Sequence, residues 1–129
     1  MIYNDSDTIV AAATPTGGAI CIVRLSGEQA IAICDKVFRG RRPLQDVRPA
    51  SALYGRIVDG EEVVDDVILT LFRAPHSYTG EDSIEISTHG SRYVVERVIS
   101  LLVRHGARLA EAGEFTRRAF FAGRMDLAQ

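Results

Sequence analysis

The chain has 129 residues, of which 47% are apolar and 25% charged, and its formal net charge is −2. This length and balance predict one soluble globular domain, and the slightly acidic total argues against a domain that holds nucleic acid by bulk positive charge. The two cysteines lie in apolar stretches without CxxC or Cys/His spacing, which predicts reduced core thiols and excludes a zinc site of that kind. The acidic N-terminus is unlike a signal peptide, and no apolar run reaches the roughly 20 residues of a membrane span. We therefore expect a cytoplasmic protein that does not associate with a membrane.

The first third of the chain predicts two strands and a helix. Residues 8–13 and 19–25 are short apolar runs separated by Thr-Pro-Thr-Gly-Gly, which is typical of strands joined by a tight loop. Ser26 and Gln29 have capping-box spacing, so we expect Ser26 to cap a helix over roughly residues 27–38. The arginine-rich residues 39–49 predict a solvated surface loop.

The middle of the chain predicts a hairpin and a further strand. Residues 51–58 and 62–72 flank Asp59-Gly60, a strong hairpin signal. The second arm is apolar at both alternations, which predicts a central strand buried on both faces. Residues 73–82 predict a loop, and the strict alternation of residues 83–88 places Glu85 on the polar face of a strand.

The last third predicts two helices around a short strand. A helix is expected over about residues 91–105, with Gly106 in a left-handed conformation after it. A short strand at residues 107–109 and a third helix from Gly113 to about Ala122 follow. The pattern as a whole predicts an α+β fold: a mixed β-sheet with two main helices and a short third.

The chemistry-bearing residues first exclude several enzyme classes. A phosphate-binding loop of the GxxxxGK[ST] type needs a lysine directly after a glycine, whereas the only lysine, Lys36, follows Asp35. The chain also has no GxGxxG after a strand, no HExxH and no GxSxG. The sequence therefore predicts that this chain is not a complete enzyme and has no catalytic residues of its own.

Three charged residues stand out by position. Arg24 ends an apolar strand, Glu85 lies within one, and Arg124 follows Gly123 beyond the third helix. A charge on a sheet needs a partner or a ligand, so Arg24 and Glu85 either bind a ligand or pair with each other. The His89-Gly90 junction also has two interpretations: its backbone amides could bind a ligand, or it could be a turn that needs glycine.

The amino-acid sequence closely resembles the N-terminal domain of the MnmE/TrmE family of tRNA modification GTPases. The resemblance is carried, in family order, by TIVAAATP (8–15), IVRLSG (22–27), APHSYTGED (74–82), His89-Gly90, GEFTRRAF (113–120) and GRMDLAQ (123–129). The first turn departs from the family pattern, because Pro15-Thr-Gly-Gly-Ala19 is shorter and lacks an arginine.

The resemblance implies a fold similar to the folate-binding domain of the glycine-cleavage T protein, with residues 1–122 as a folate-binding and dimerisation domain. Residues 123–129 would begin the connection to a helical region and a GTPase domain that needs GTP, Mg²⁺ and K⁺. The family modifies C5 of the wobble uridine in tRNA together with a flavin-dependent partner subunit of the MnmG/GidA type. A tetrahydrofolate derivative, in the 5-formyl or 5,10-methylene form, supplies the one-carbon unit.

The resemblance also assigns three folate-contacting positions: Arg24, Glu85 and Arg124, the last standing where the family usually has lysine. A carboxylate suits the donor edge of a pterin, and the two arginines suit the anionic tail of folate. Two other functions stay open at this point. The chain could be a stand-alone folate-dependent one-carbon transferase domain, or a purely structural dimerisation domain in which Arg24 and Glu85 pair.

Overall fold

The computed structural model describes residues 7–123 as a seven-stranded mixed sheet with three α-helices. The α+β class predicted from the sequence is thereby confirmed. The elements follow in the order β1 (Ile9–Ala12), β2 (Ile20–Ser26), α1 (Ala30–Asp35), β3 (Phe38–Arg39), a 3₁₀ turn (Leu44–Asp46), β4 (Ala52–Asp59), β5 (Glu62–Phe72), β6 (Ser83–His89), α2 (Arg92–Arg104), β7 (Arg108–Leu109) and α3 (Glu114–Phe121).

The strands lie in the order β3-β4-β5-β6-β2-β1-β7. All neighbours are antiparallel except β1 and β7, which are parallel. The order brings β2 beside β6, although some 60 residues separate them along the chain, and their register places Arg24 opposite Glu85. This non-local pairing assembles the candidate site.

Alternation along each strand divides the sheet into a core face and an open face. On the core face, Val23, Leu69 and Ile86 are fully buried beneath apolar residues of α1 and α2. On the open face, Ile20 and Ile68 are 62% and 50% exposed. The central position predicted for β5 is confirmed, since it lies between β4 and β6, but the prediction that both its faces are buried is wrong.

The predicted capping box is also wrong. Ser26 is the last residue of β2, and its hydroxyl contacts Thr79 Oγ1 at 2.6 Å and donates to Glu81 Oε1 at 2.9 Å. The helix begins later, at Ala30. The backbone amide of Gln29 donates to Thr8 Oγ1, just before β1, at 2.9 Å. The helix also ends at Asp35 instead of 38, because Phe38 and Arg39 pair with β4 as strand β3.

Most other predicted elements are confirmed to within one or two residues. The hairpin turns at Gly60, whose φ is 63°, and a register shift between Ile57 and Val58 offsets its two arms. Helix α2 is capped by the Ser91 hydroxyl, which accepts the Val94 amide at 3.4 Å. Gly106 follows α2 with a positive φ of 120°, as predicted.

Candidate functional site

Arg24 and Glu85 form a cross-strand ion pair on the open face of the sheet. The Arg24 Nε and Nη2 groups both donate to Glu85 Oε2, at 3.1 and 3.0 Å. The two side chains are 25% and 29% exposed, so solvent and ligands can reach them. The two residues therefore pair with each other, which is compatible with both a structural and a ligand-binding role, and the pairing leaves Glu85 Oε1 without a hydrogen bond from any residue between 7 and 123.

Two aromatic rings flank the guanidinium of Arg24. Its Cζ atom lies 5.3 Å from the ring centroid of Tyr78 and 5.5 Å from that of Phe115, within the range of cation–π attraction. With Glu85 on one edge and two rings around it, Arg24 is held in one orientation. Such a preorganised cation loses little conformational entropy when it binds an anion.

A cavity of about 340 Å³ opens beside this ion pair. Its size lies at the small end of the range for ligand pockets, roughly 300–1,000 Å³. It is lined by Arg24, Phe72, His76, Ser77, Tyr78, Ser83 and Glu85. The cavity thus combines a charged pair with aromatic walls, the chemistry that an aromatic heterocycle with polar edges requires.

Sequence reasoning missed the aromatic part of this site. Tyr78 belongs to the loop after β5, Phe115 to α3 and Phe72 to the end of β5, so only the tertiary fold brings them to Arg24. One signal was present, because Tyr78 and Phe115 each lie within a motif that carries the family resemblance. The third predicted residue, Arg124, lies outside the described residues.

The loop that carries Tyr78 is fastened by a buried polar network. Glu81 Oε1 accepts hydrogen bonds from the Ser26 hydroxyl at 2.9 Å and from Arg118 Nη1 at 3.1 Å. The Ser77 hydroxyl donates to the Glu81 carbonyl at 2.5 Å, and Thr79 contacts Ser26. The loop therefore depends on contacts with β2 and α3 for its position.

Arg118 on α3 is the centre of that network. Its side chain is 3% exposed and lies 2.8 Å from Asp7, 3.1 Å from Glu81 and 3.3 Å from the fully buried Glu114. Glu114 also accepts from Arg108 Nη2 at 2.7 Å. The hydrogen bond from Arg108, followed by that from Arg118, lowers the pKa of Asp7 below its ordinary value despite partial desolvation.

The His89-Gly90 junction has a structural explanation that involves a carboxylate. Asp65, whose side chain is 8% exposed, accepts the His89 amide at 2.8 Å and contacts its Nδ1 at 2.6 Å. The Gly90 amide donates to Ala19 at 3.0 Å, so it is not available to a ligand. Glycine is needed here because a Cβ at position 90 would overlap the Gly18 carbonyl.

Neither a metal cluster nor a membrane span is found in the part of the chain that the structure describes. Among residues 7–123, no three His, Cys, Asp or Glu side chains gather as metal ligands. Across the same residues, no helix is both long enough and apolar enough to cross a membrane.

Comparison with known proteins identifies the family. The model of the GTP-binding protein TrmE N-terminus matches residues 8–124. The chain belongs to this family. The match includes all three predicted folate-contacting positions, among them Arg124, and spans every element of the sheet described above.

Several curated TrmE-family relatives are named tRNA modification GTPase MnmE. The protein from Bacteroides thetaiotaomicron is 50% identical over 128 residues, covering 97% of this chain and 28% of the relative. The Streptococcus mutans protein is 51% identical over 130 residues, covering all of this chain and 28% of the relative, and that from Enterococcus faecalis is 54% identical over 127 residues, covering 95% and 27%. The chain therefore spans little more than a quarter of the length of these relatives.

Proposed function

We propose that this chain is the tetrahydrofolate-binding and homodimerisation module of a GTPase that modifies C5 of the wobble uridine in tRNA. The family membership supports the tRNA-modifying context, since the relatives carry that activity in their names. The GTPase activity, with its GTP, Mg²⁺ and K⁺, belongs to the rest of the full-length protein. The same holds for the MnmG/GidA-type flavin partner, and the assembly is expected in the cytoplasm.

The observation that carries the folate proposal is the cavity beside the Arg24–Glu85 pair. Glu85 Oε1 is free to accept a donor from the pterin edge while Oε2 stays bonded to Arg24. Tyr78 and Phe72 supply aromatic walls for the ring system. Arg24 and Arg124 are proposed as counter-charges for the anionic tail, with the folate in its 5-formyl or 5,10-methylene form.

Calorimetric titration with 5-formyltetrahydrofolate tests this assignment. We expect Glu85→Gln to weaken binding about tenfold to a hundredfold, because a hydrogen bond to a charged group contributes roughly 1.5–3 kcal/mol. Asp66→Asn is the matched control, since the exposed Arg56–Asp66 pair spans β4 and β5 at 3.1 Å on the same sheet face. If Glu85→Gln and Arg24→Gln bind as tightly as the Asp66→Asn control, the residue assignment is wrong.

The homodimer proposal rests on the open face of the sheet. Ile20 and Ile68 are at least half exposed there, and the partly buried Ile22 lies on the same face of β2. A second copy of the sheet would remove this apolar surface from water. Sedimentation at tens of micromolar tests it: Ile68→Glu should shift a dimer towards monomer, whereas Val103→Glu on the opposite side, in α2, should not.

One observation favours a second candidate, a purely structural dimerisation domain. Arg24 and Glu85 satisfy each other's charge, so the pair persists without a ligand. The calorimetry separates the two proposals, because a structural domain dimerises but releases no heat with 5-formyltetrahydrofolate. The stand-alone one-carbon transferase has no comparable support in the described residues.

A further inference from the structure

A second cavity lies at the other edge of the sheet, beside β3 and β4. It has a volume of about 690 Å³, twice that of the cavity at Arg24. Its apolar floor contains Phe38, Val47 and Leu53. Its rim carries three arginines of the loop before β4, Arg41, Arg42 and Arg48, and we call this feature the arginine pocket.

Within residues 7–123, the three rim arginines have no acidic partners. None of them forms a hydrogen bond or ion pair with a residue of the described range 7–123, whereas Arg97, Arg104 and Arg108 each contact one or two carboxylates. Residues 39–56 contain five arginines and a single acid, Asp46. Like charges gathered without counter-charges repel one another, so the arrangement is stabilised when an anion enters it.

The chemistry of the rim matches phosphate. A guanidinium offers several N–H donors in a planar fork that fits two phosphate oxygens at once, and three forks around one open groove suit a ligand with successive phosphates. Tyr54 also lines the pocket, and it is 69% exposed. An exposed aromatic ring beside arginines is the combination on which an unpaired base stacks while its backbone is held.

We propose that the arginine pocket is an RNA-contact surface, which holds backbone phosphates of a tRNA on Arg41, Arg42 and Arg48 and stacks an unpaired base on Tyr54. The choice of tRNA rests on the proposed function. The whole chain carries a net charge of −2, so bulk attraction does not draw RNA to it and any binding must come from such a local cluster.

The position of the pocket is consistent with this role. Tyr54 pairs with Ile68 on β5, and Ile68 pairs with Ser87 on β6, two residues from Glu85 on the same face. With strands about 4.8 Å apart, a base stacked on Tyr54 lies on the order of 12 Å from Glu85 along the sheet. A base on Tyr54 would thus lie beside the part of this face that the proposed second copy covers, while Arg41, Arg42 and Arg48 hold the phosphates at the sheet edge.

The test measures binding of an unmodified tRNA transcript to the full chain by fluorescence anisotropy at several salt concentrations. The variant is the triple R41Q/R42Q/R48Q, and the matched control is R92Q/R97Q/R104Q, which removes the same charge from paired arginines on α2. We expect the pocket triple to bind tRNA at least about tenfold more weakly than wild type. The slope of the logarithm of the binding constant against the logarithm of the salt concentration should become shallower by about 2 to 3, because each lost phosphate contact releases about one counterion fewer. The control should stay within about twofold of wild type.

A second pair of variants tests the stacking residue. Tyr54→Ala should weaken RNA binding about fivefold or more, while Tyr54→Phe keeps the ring and should bind like wild type. Equal losses in the two arginine triples, or none in the pocket triple, would overturn the proposal, as would Tyr54→Phe losing as much as Tyr54→Ala. If the pocket triple loses binding of inorganic phosphate but still binds tRNA like wild type, the proposal is also overturned, and the pocket is a site for small anions.

The outcome is separable from that of the folate proposal. The pocket triple should bind 5-formyltetrahydrofolate and dimerise like wild type, because its three arginines line neither the cavity at Arg24 nor the apolar patch at Ile20 and Ile68. Loss of folate binding in Glu85→Gln alone concerns only the folate site. Circular dichroism spectra that match wild type establish that each variant is folded.

Discussion

Replacing Arg118 by methionine tests whether the buried network holds the loop that carries Tyr78 in place. Methionine keeps an apolar stem of similar length, so the change removes mainly the guanidinium. It leaves Glu81 and Glu114 without a cation that lay 3.1 and 3.3 Å away in a site where Arg118 is 3% exposed. An uncompensated buried charge of this kind typically costs 3–5 kcal/mol.

The low end of that range applies here, because Arg108 still contacts Glu114 at 2.7 Å and the Ser26 hydroxyl still donates to Glu81. We therefore expect Arg118→Met to lower the free energy of unfolding by about 3 kcal/mol, and the melting midpoint by on the order of 10 °C. Urea denaturation followed by circular dichroism measures the first quantity. Arg92→Met is the control, since its ion pair with Glu96 is exposed and should contribute less than about 0.5 kcal/mol.

The double variant Arg118→Met/Glu114→Gln separates a stranded charge from lost packing. If the penalty comes from the buried carboxylate, neutralising Glu114 recovers part of the stability. A single variant within about 1 kcal/mol of wild type would refute the reasoning, and a double variant less stable than the single would refute its electrostatic part. Weaker binding of 5-formyltetrahydrofolate by the folded Arg118→Met variant would extend the effect to the Tyr78 loop.

Three further predictions follow from single contacts. Arg108, more than any other residue, holds the pKa of Asp7 below its ordinary value. The stability that Asp7 contributes is therefore complete above about pH 3.9 and is lost as pH falls through the lower pKa of the native state. Between pH 4 and pH 2 the melting temperature of wild type should fall more steeply than that of Asp7→Asn, and equal slopes would contradict this. Gly90→Ala should destabilise by at least about 1–3 kcal/mol in urea because its Cβ meets the Gly18 carbonyl, whereas Gly18→Ala, whose Cβ has only an ordinary contact at 4.0 Å, should be nearly neutral. Burial raises the pKa of the Cys34 thiol well above its ordinary value, so iodoacetamide should label it only after unfolding, and labelling of the native chain at the rate of a free thiol would refute that.

The elements that sequence reasoning predicted correctly are those specified by neighbours in the chain. The hairpin follows from Asp59-Gly60 between alternating arms, and α2 follows from Ser91 before an apolar stripe. The capping box failed for the opposite reason. Ser26 has the right local spacing, but Thr79 and Glu81, more than 50 residues away, compete for its hydroxyl and win.

The candidate site was likewise predicted from the sequence only in the parts that local pattern specifies. Alternation in β6 placed Glu85 on the polar face, and the burial cost of a charge identified Arg24 as its possible partner. Their juxtaposition required the β2–β6 register, which no local pattern encodes. Tyr78 and Phe115 could be named only through the motifs of the family resemblance, because their distance to Arg24 depends on how a loop and a helix pack.

The ion pair at the centre of the site does not decide between binding and structure, but the way it is made does favour binding. A pair whose only role is structural gains most when both carboxylate oxygens meet the guanidinium fork, since two parallel hydrogen bonds are the strongest arrangement. Here both donors of Arg24 converge on Oε2, so Oε1 of Glu85, a residue that lines the cavity with aromatic walls, accepts no hydrogen bond from residues 7–123. An acceptor with unused lone pairs in a partly buried position is worth more to a ligand with N–H donors than to the empty protein. Glu85→Gln removes that acceptor's charge with almost no change of shape, which makes it the sharpest single probe of what this face of the sheet binds.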